Sequence, residues 1–105
     1  MPRPKVLLLE DDPNEATLAE SALRLAGAEL VTSFERAVVA VLGRKALAEA
    51  GPLPIPAVAI LPAPTEEERR RAAERGVRAV FDRPATWRDY AALVERVVAD
   101  ATRKG

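Results

Sequence analysis

Lys5-Val6-Leu7-Leu8-Leu9-Glu10-Asp11-Asp12-Pro13 is the stretch that decides the fold. Its apolar residues run without alternation and stop abruptly at three acids and a proline. That pattern reads as a strand buried on both faces, which is the signature of a parallel sheet. Asp12 and Pro13 then open a helix: the Asp12 carboxylate is placed to accept from first-turn amides, and proline is tolerated at the first helical position. Leu18, Ala22, Leu25 and Ala26 recur at helical spacing and Gly27 supplies the stop, which predicts a helix over 13–26.

Working outward, Ala28-Glu29-Leu30-Val31 reads as a short second strand. Thr32-Ser33-Phe34-Glu35 has capping-box spacing and predicts a helix running through Phe34, Val38, Val41 and Leu42 to Ala50. The β-branched density of residues 37–42 also suits a strand. Only about five residues separate that piece from the second strand, however, whereas a parallel crossover takes about a dozen or more. The helix is therefore favoured, giving a sheet of four strands, with five as the alternative.

Gly51-Pro52-Leu53-Pro54-Ile55-Pro56 forms a rigid connection, because closely spaced prolines fix φ and remove amide donors. Ala57–Leu61 is the next buried strand. Thr65 opens a helix whose first turn carries Glu66, Glu67 and Glu68 and whose later turns carry Arg69, Arg70, Arg71 and Arg75, the order the helix dipole favours. Glu66–Arg70 and Glu67–Arg71 are spaced for ion pairs, and Gly76 ends the helix. Val77–Asp82 reads as a strand. Thr86 with Asp89 caps a last helix striped by Trp87, Tyr90, Ala91, Val94, Val97, Val98 and Ala101. Repeated strand–helix units predict an α/β, flavodoxin-like open parallel sheet with helices on both faces. Ligand chemistry in such sheets lies at the carboxyl ends of the strands, which gathers Glu10, Asp11, Asp12, Leu61, Pro62, Asp82 and Arg83 on one edge.

Composition narrows the function. A chain of 105 residues, 49% apolar and 30% charged, fits one domain spanning residues 1–105. It has no apolar run of about 18 residues, and its start leads directly into a strand, so a cytoplasmic protein with no membrane span is expected. The lack of Cys and His removes disulfides, a zinc site, a thiol nucleophile and an imidazole base. Sixteen basic residues balance sixteen acidic ones, so no overall field attracts nucleic acid or anionic lipid, and such binding would need a local patch. Aromatics, at 4%, are too few for a base-stacking platform. Arginine dominates the cations, Asn14 is the only Asn and Gln is absent, the bias of heat-adapted or GC-rich sources.

Adjacent carboxylates at a strand end can ligate Mg²⁺, although acids ahead of Pro13 are also ordinary helix-start chemistry. The wider pattern adds to this. Val6-Leu7-Leu8-Leu9-Glu10-Asp11-Asp12-Pro13, the helix stopped at Gly27, Ile55-Pro56-Ala57-Val58-Ala59-Ile60-Leu61, Ala72-Ala73-Glu74-Arg75-Gly76-Val77 and Phe81-Asp82-Arg83-Pro84 closely resemble the receiver (CheY-like) domain of bacterial response regulators. The resemblance covers the chain except for roughly residues 36 to 54.

It implies that Glu10 and Asp11, with Asp12 as a third candidate, stand where the family binds Mg²⁺. It also implies a phosphoacceptor Asp at the end of the third strand, and none is found: between Arg36 and Thr65 the only acid is Glu49, in a predicted helix. Leu61 takes the place of the family's hydroxyl residue, Val80 that of its switch aromatic (with Phe81 next to it), and Arg83 that of its lysine. Pro84 follows, at a bond commonly cis in the family. The spacing further suggests that a strand and a helix are deleted or fused between the second and fourth strands.

The expected protein is thus a shortened pseudo-receiver: a stand-alone, non-enzymatic signalling module that needs no cofactor and is not phosphorylated. It would act on a protein partner, or on a second copy as a homodimer, through a face bearing Arg70, Arg71, Val80, Trp87 and Tyr90, without contacting nucleic acid. With no phosphate to hold, Arg83 is expected to pair with Glu10 or Asp11. Two other readings stay open: a receiver with an unconventional acceptor such as Asp12 or Asp82, and a small flavodoxin-like module for an anion or nucleotide, which lacks a Gly-rich phosphate loop.

Overall fold

The computed structural model describes residues 3–103. Five strands, β1 (Lys5–Leu9), β2 (Glu29–Val31), β3 (Val39–Leu42), β4 (Ala57–Leu61) and β5 (Ala79–Asp82), form one all-parallel sheet in the order β2-β1-β3-β4-β5. Four helices accompany them: α1 (Pro13–Leu25), α2 (Arg44–Glu49), α3 (Glu66–Glu74) and α4 (Trp87–Thr102). Helices α1 and α4 pack together on one sheet face, α2 and α3 on the other.

The helix anticipated over residues 34–50 is not formed, and five strands replace the favoured four. A single 3₁₀ turn at Phe34–Arg36 precedes β3, and α2 begins only after Gly43. The crossover rule failed because β2 is so short. It pairs only with Lys5, Val6 and Leu7 of β1, while β3 enters on the other side of β1 opposite Val6. From the end of β2 at Leu7 to the start of β3 at Val6, the chain climbs back one residue and crosses two strand spacings, about 10 Å. Residues 32–38 span that without a helix. All four β3 residues are buried at the centre of the sheet, which is what their uninterrupted apolar run requires.

Successive side chains divide the core between the faces. Val6, Val39, Val41, Val58 and Ile60 meet Ala22 and Leu23 of α1 and Tyr90, Val94, Val97 and Val98 of α4. Leu7, Ala40, Leu42, Ala57, Ala59 and Leu61 face Leu47 of α2 and Ala72 of α3. This second side has fewer helical residues to cover it. Phe34 of the 3₁₀ turn and Leu53 and Ile55 of the proline-rich segment pack against it, taking the place of a helix between β2 and β3.

The caps expected at Asp12 and Thr86 form, and Thr65 opens its helix as expected, but the capping box expected at Thr32–Glu35 does not form: the Ser33 side chain makes no cap bond ahead of the 3₁₀ turn. Asp12 accepts from the amides of Asn14 (2.9 Å) and Glu15 (3.1 Å), and Thr65 and Glu68 form a reciprocal capping box. Thr86 accepts from the Asp89 amide (3.2 Å). Of the two pairs anticipated on α3, Arg71–Glu67 is made at 3.6 Å, an exposed contact of small energetic weight.

Tyr90 is the only tyrosine and is buried against the α1–α4 core. Burial pushes its phenol up to about 12, with Glu15 adding to the shift and Arg83 opposing it. The raised value means that Tyr90 supports the fold fully below its ordinary value of 10 and that this support is lost as pH rises from there through about 12. An alkaline titration followed by tyrosinate absorbance should show one transition near 12 or coincident with unfolding. A midpoint near 10 in the folded protein would contradict the burial.

Candidate functional site

The carboxyl ends of β1, β3, β4 and β5 bring the anticipated residues to one edge, but they are wired differently from expectation. Glu10 folds back so that Oε1 accepts the Asp12 amide at 3.1 Å. Its carboxylate lies over Gly43, the residue that directly follows β3, so a Cβ built at Gly43 would fall on the Glu10 carboxylate. Burial raises the Glu10 pKa above the usual carboxylate value; the Asp12 amide opposes this, and Asp11, Glu15 and Asp12 add to it. Asp11 is exposed. Asp12 is engaged as the α1 cap.

Arg83 does not pair with Glu10 or Asp11. Its Nε donates to Glu15 Oε1 at 2.6 Å, and its backbone amide donates to the carbonyl of Leu61 at 2.8 Å. The reason is positional: Glu15 sits in the first turn of α1, facing the start of the β5–α4 loop, while Glu10 is turned toward β3. The Arg83–Pro84 bond is trans, not cis. Leu61 is fully buried and offers no hydroxyl to the edge. Asp82 Oδ1 accepts the Ala63 amide at 3.2 Å.

Arg44, which the sequence reading passed over, ties two loops together. Its Nε donates to Glu68 Oε2 at 2.6 Å, and its Nη2 donates to the Pro62 carbonyl at 2.6 Å and to Glu68 Oε1 at 3.3 Å. The Arg44 guanidinium beside Glu68 holds that carboxyl below its ordinary value. A lowered value means the pair stabilises the fold above the ordinary carboxylate range and that this is lost as pH falls through the depressed value. Because Arg44 is half-exposed, the pair is screened and its weight is modest.

Between these two clamps, Ala63 adopts φ 48°, a left-handed conformation costly for a residue with a Cβ. Relief of about 1–2 kcal/mol of strain, less about 0.4–1 kcal/mol for the freer unfolded chain, predicts that Ala63→Gly stabilises the protein by roughly 0.5–1 kcal/mol. Urea denaturation checks this, and a loss of stability would mean that the Ala63 methyl itself is needed.

The anticipated interaction residues do not form one continuous face. Tyr90 belongs to the α1–α4 core, whereas Val80 packs on the α2–α3 side and its carbonyl accepts Arg69 Nη1 at 3.0 Å. Arg70 is exposed and Arg71 half-buried. Trp87 is 45% exposed and stacks on Tyr90, with ring centroids 6.3 Å apart and planes 8° from parallel.

The donor set does not fit Mg²⁺. Gly43 contributes no carboxylate, Asp12 is capping α1, Glu15 is bound to Arg83, and Arg44 and Lys45 line the same cleft of about 360 Å³ as Glu10 and Asp11. Among the described residues, no three potential ligand side chains gather to hold a metal ion.

No family model matches the sequence, and no curated protein does. Solved structures do match the fold. A CheY-like response regulator receiver domain protein from Methanospirillum hungatei superposes with a TM-score of 0.69 at 14% identity, over 99% of this chain and 100% of that one. The phosphorylated cyanobacterial phytochrome response regulator RcpA gives 0.69 at 19% identity, over 91% of each chain. An orphan response regulator of Helicobacter pylori gives 0.66 at 24% identity, over 97% of this chain and 100% of that one. The fold is therefore that of the CheY-like receiver domain, here with five strands and a 3₁₀ turn between β2 and β3.

Proposed function

We propose that this chain is a signalling module of receiver type that works by protein–protein contact and is not switched by aspartyl phosphorylation. One observation carries the reading: the position after β3 is Gly43, and the space its side chain would need holds the Glu10 carboxylate. Phosphoryl transfer to such a fold requires an acceptor oxygen and charge neutralisation by a metal ion. Here the acceptor position has no side chain; Asp12 caps α1, Glu15 is paired with Arg83 and Asp82 accepts the Ala63 amide, which leaves Asp11 exposed beside Glu10. That engagement also weighs against Asp12 or Asp82 as an unconventional acceptor.

On this reading the ties made by Arg44 and Arg83 fix the β4–α3 and β5–α4 loops, which a phosphoryl group would otherwise organise. The module then presents one standing surface, carries no enzymatic activity of its own and acts through a protein partner. Among the described residues, no helix is long and apolar enough to cross a membrane. The test is an NMR titration of labelled protein with Mg²⁺ and then beryllofluoride. No saturable shifts are expected at Glu10, Gly43, Leu61 or Arg83. Saturable shifts spreading from those residues into β5 would overturn the proposal.

A further inference from the structure

Among the described residues, Ala63 is the only one other than glycine with a left-handed backbone, and it lies in the short link between β4 and α3. Both ends of that link are anchored. The Leu61 carbonyl accepts the Arg83 amide at 2.8 Å, and the reciprocal bonds of Thr65 and Glu68 lock the start of α3. Pro62, Ala63 and Pro64 span the gap. Left to its own chemistry this tripeptide is extended: each proline fixes its own φ at about −65°, and a residue ahead of a proline is pushed to the extended region. Ala63 stands instead at φ 48°.

Burial does not hold it there, because Pro62 and Ala63 are both exposed. Polar bonds do, from two sides. Arg44 Nη2 donates to the Pro62 carbonyl at 2.6 Å and reaches the Ala63 carbonyl at 3.5 Å, while Asp82 Oδ1 accepts the Ala63 amide at 3.2 Å. Arg44 is itself aimed by Glu68, to which its Nε donates at 2.6 Å. A disfavoured backbone conformation persists only while its surroundings impose it. Here the imposing groups are two side chains at the surface.

We infer that Pro62–Pro64 is a strap with two arrangements: held, with Ala63 left-handed under Arg44 and Asp82, and released, with Ala63 extended. The Arg44–Glu68 pair is its catch. Arg44 and Pro62 also line the cleft of about 360 Å³ that contains Glu10 and Asp11, so release reshapes that wall and the surface at the start of α3 together. A carboxylate that takes Arg44 from Glu68 would free the strap with no covalent change to the chain. The inference concerns this loop alone and does not rest on the absence of a phosphoacceptor.

NMR of labelled protein supplies the first test. A left-handed φ brings the Ala63 amide proton close to its own Hα, so the wild type should give a strong cross-peak between them that an extended residue lacks. Arg44→Met keeps the apolar stem, removes the guanidinium and should lose that strong cross-peak. Urea denaturation gives an independent reading. Ala63→Gly should raise the midpoint in the wild type, where it relieves strain. In the Arg44→Met background it should leave the midpoint unchanged or lower it, because no strain remains and glycine only frees the unfolded chain. A cooperative thermal transition checks that each variant is folded; should Arg44→Met fail it, Asp82→Ala, at an exposed position, removes the other hold and carries the same two measurements. A weak Ala63 cross-peak in the wild type, a strong one kept in the variant, or the same midpoint change from Ala63→Gly in both backgrounds would each overturn the inference.

Discussion

Ala40→Glu is expected to unfold the protein under conditions in which Ala73→Glu leaves it intact. Ala40 has no exposed surface and lies in the central strand, paired with Leu7 on one side and Ala57 on the other. A carboxylate there would enter the layer formed by Leu42, Leu47, Ala59 and Leu61, with no cation within that cluster to meet it. An uncompensated buried charge of this kind costs several kcal/mol, against a total stability of about 5–15 kcal/mol for a domain. Ala73 lies on the exposed side of α3, where a glutamate should change stability by no more than about 0.5 kcal/mol. The comparison has a sharp alternative. Were residues 34–50 a helix with Phe34, Val38, Val41 and Leu42 on its inner face, Ala40 would point to solvent and Ala40→Glu would be as mild as Ala73→Glu. Circular dichroism with urea denaturation of the two variants decides between them.

That residue marks where the sequence was legible and where it was not. The ends of β1, β4 and β5 and the starts of α1, α3 and α4 could be read because each depends on neighbours in the chain: an apolar run stopped by charge or proline, a cap hydroxyl or carboxylate, a terminal glycine. Strand β3 depends on something else. Its seven-residue approach works only because β2 stops opposite Leu7, and the length of β2 is set by pairing with β1, not by its own residues. With β3 read as helix, Gly43 was an unremarked position inside it, and the significance of Arg44 vanished with it. Once β3 is placed, Gly43 becomes the residue at the strand end and Arg44 the one reaching the β4–α3 loop.

The side-chain partners at the edge were legible only by type. Three acids and one arginine at neighbouring strand ends suggested an ion pair, and one exists, but to Glu15. Distance along the sequence cannot tell a carboxylate at a strand end from one in the first turn of the following helix, since both reach the same edge. Glu10 is held elsewhere by a backbone amide and by the empty space at Gly43. Trp87, by contrast, shares helical spacing with the core residues of α4 yet stays half in solvent, because the first position of a helix lies beyond the edge of the sheet it packs against.

The same space at Gly43 gives the second large expectation. Gly43→Asp should not simply restore the missing acceptor; alone, it should destabilise the protein by roughly 1–3 kcal/mol. Gly43 has φ −87° and ψ −176°, extended backbone open to any residue, so the cost is not backbone strain. It arises because the new side chain and the Glu10 carboxylate compete for one volume, and two partly desolvated like charges cannot both ionise there without penalty. Glu10 can swing outward, which limits the steric part, but doing so gives up its bond from the Asp12 amide. The charge part has a definite pH dependence. Mutual repulsion raises both carboxyl pKa values in the folded state, so the penalty is full when both are ionised and fades as pH falls through that raised range. Adding Glu10→Ala should recover most of the loss, giving a coupling of about 1 kcal/mol or more in a four-protein cycle measured by urea denaturation near neutral pH. Additive effects of the two substitutions would show that the Glu10 carboxylate does not hold the acceptor's place, and the central support for the proposed function would go with it.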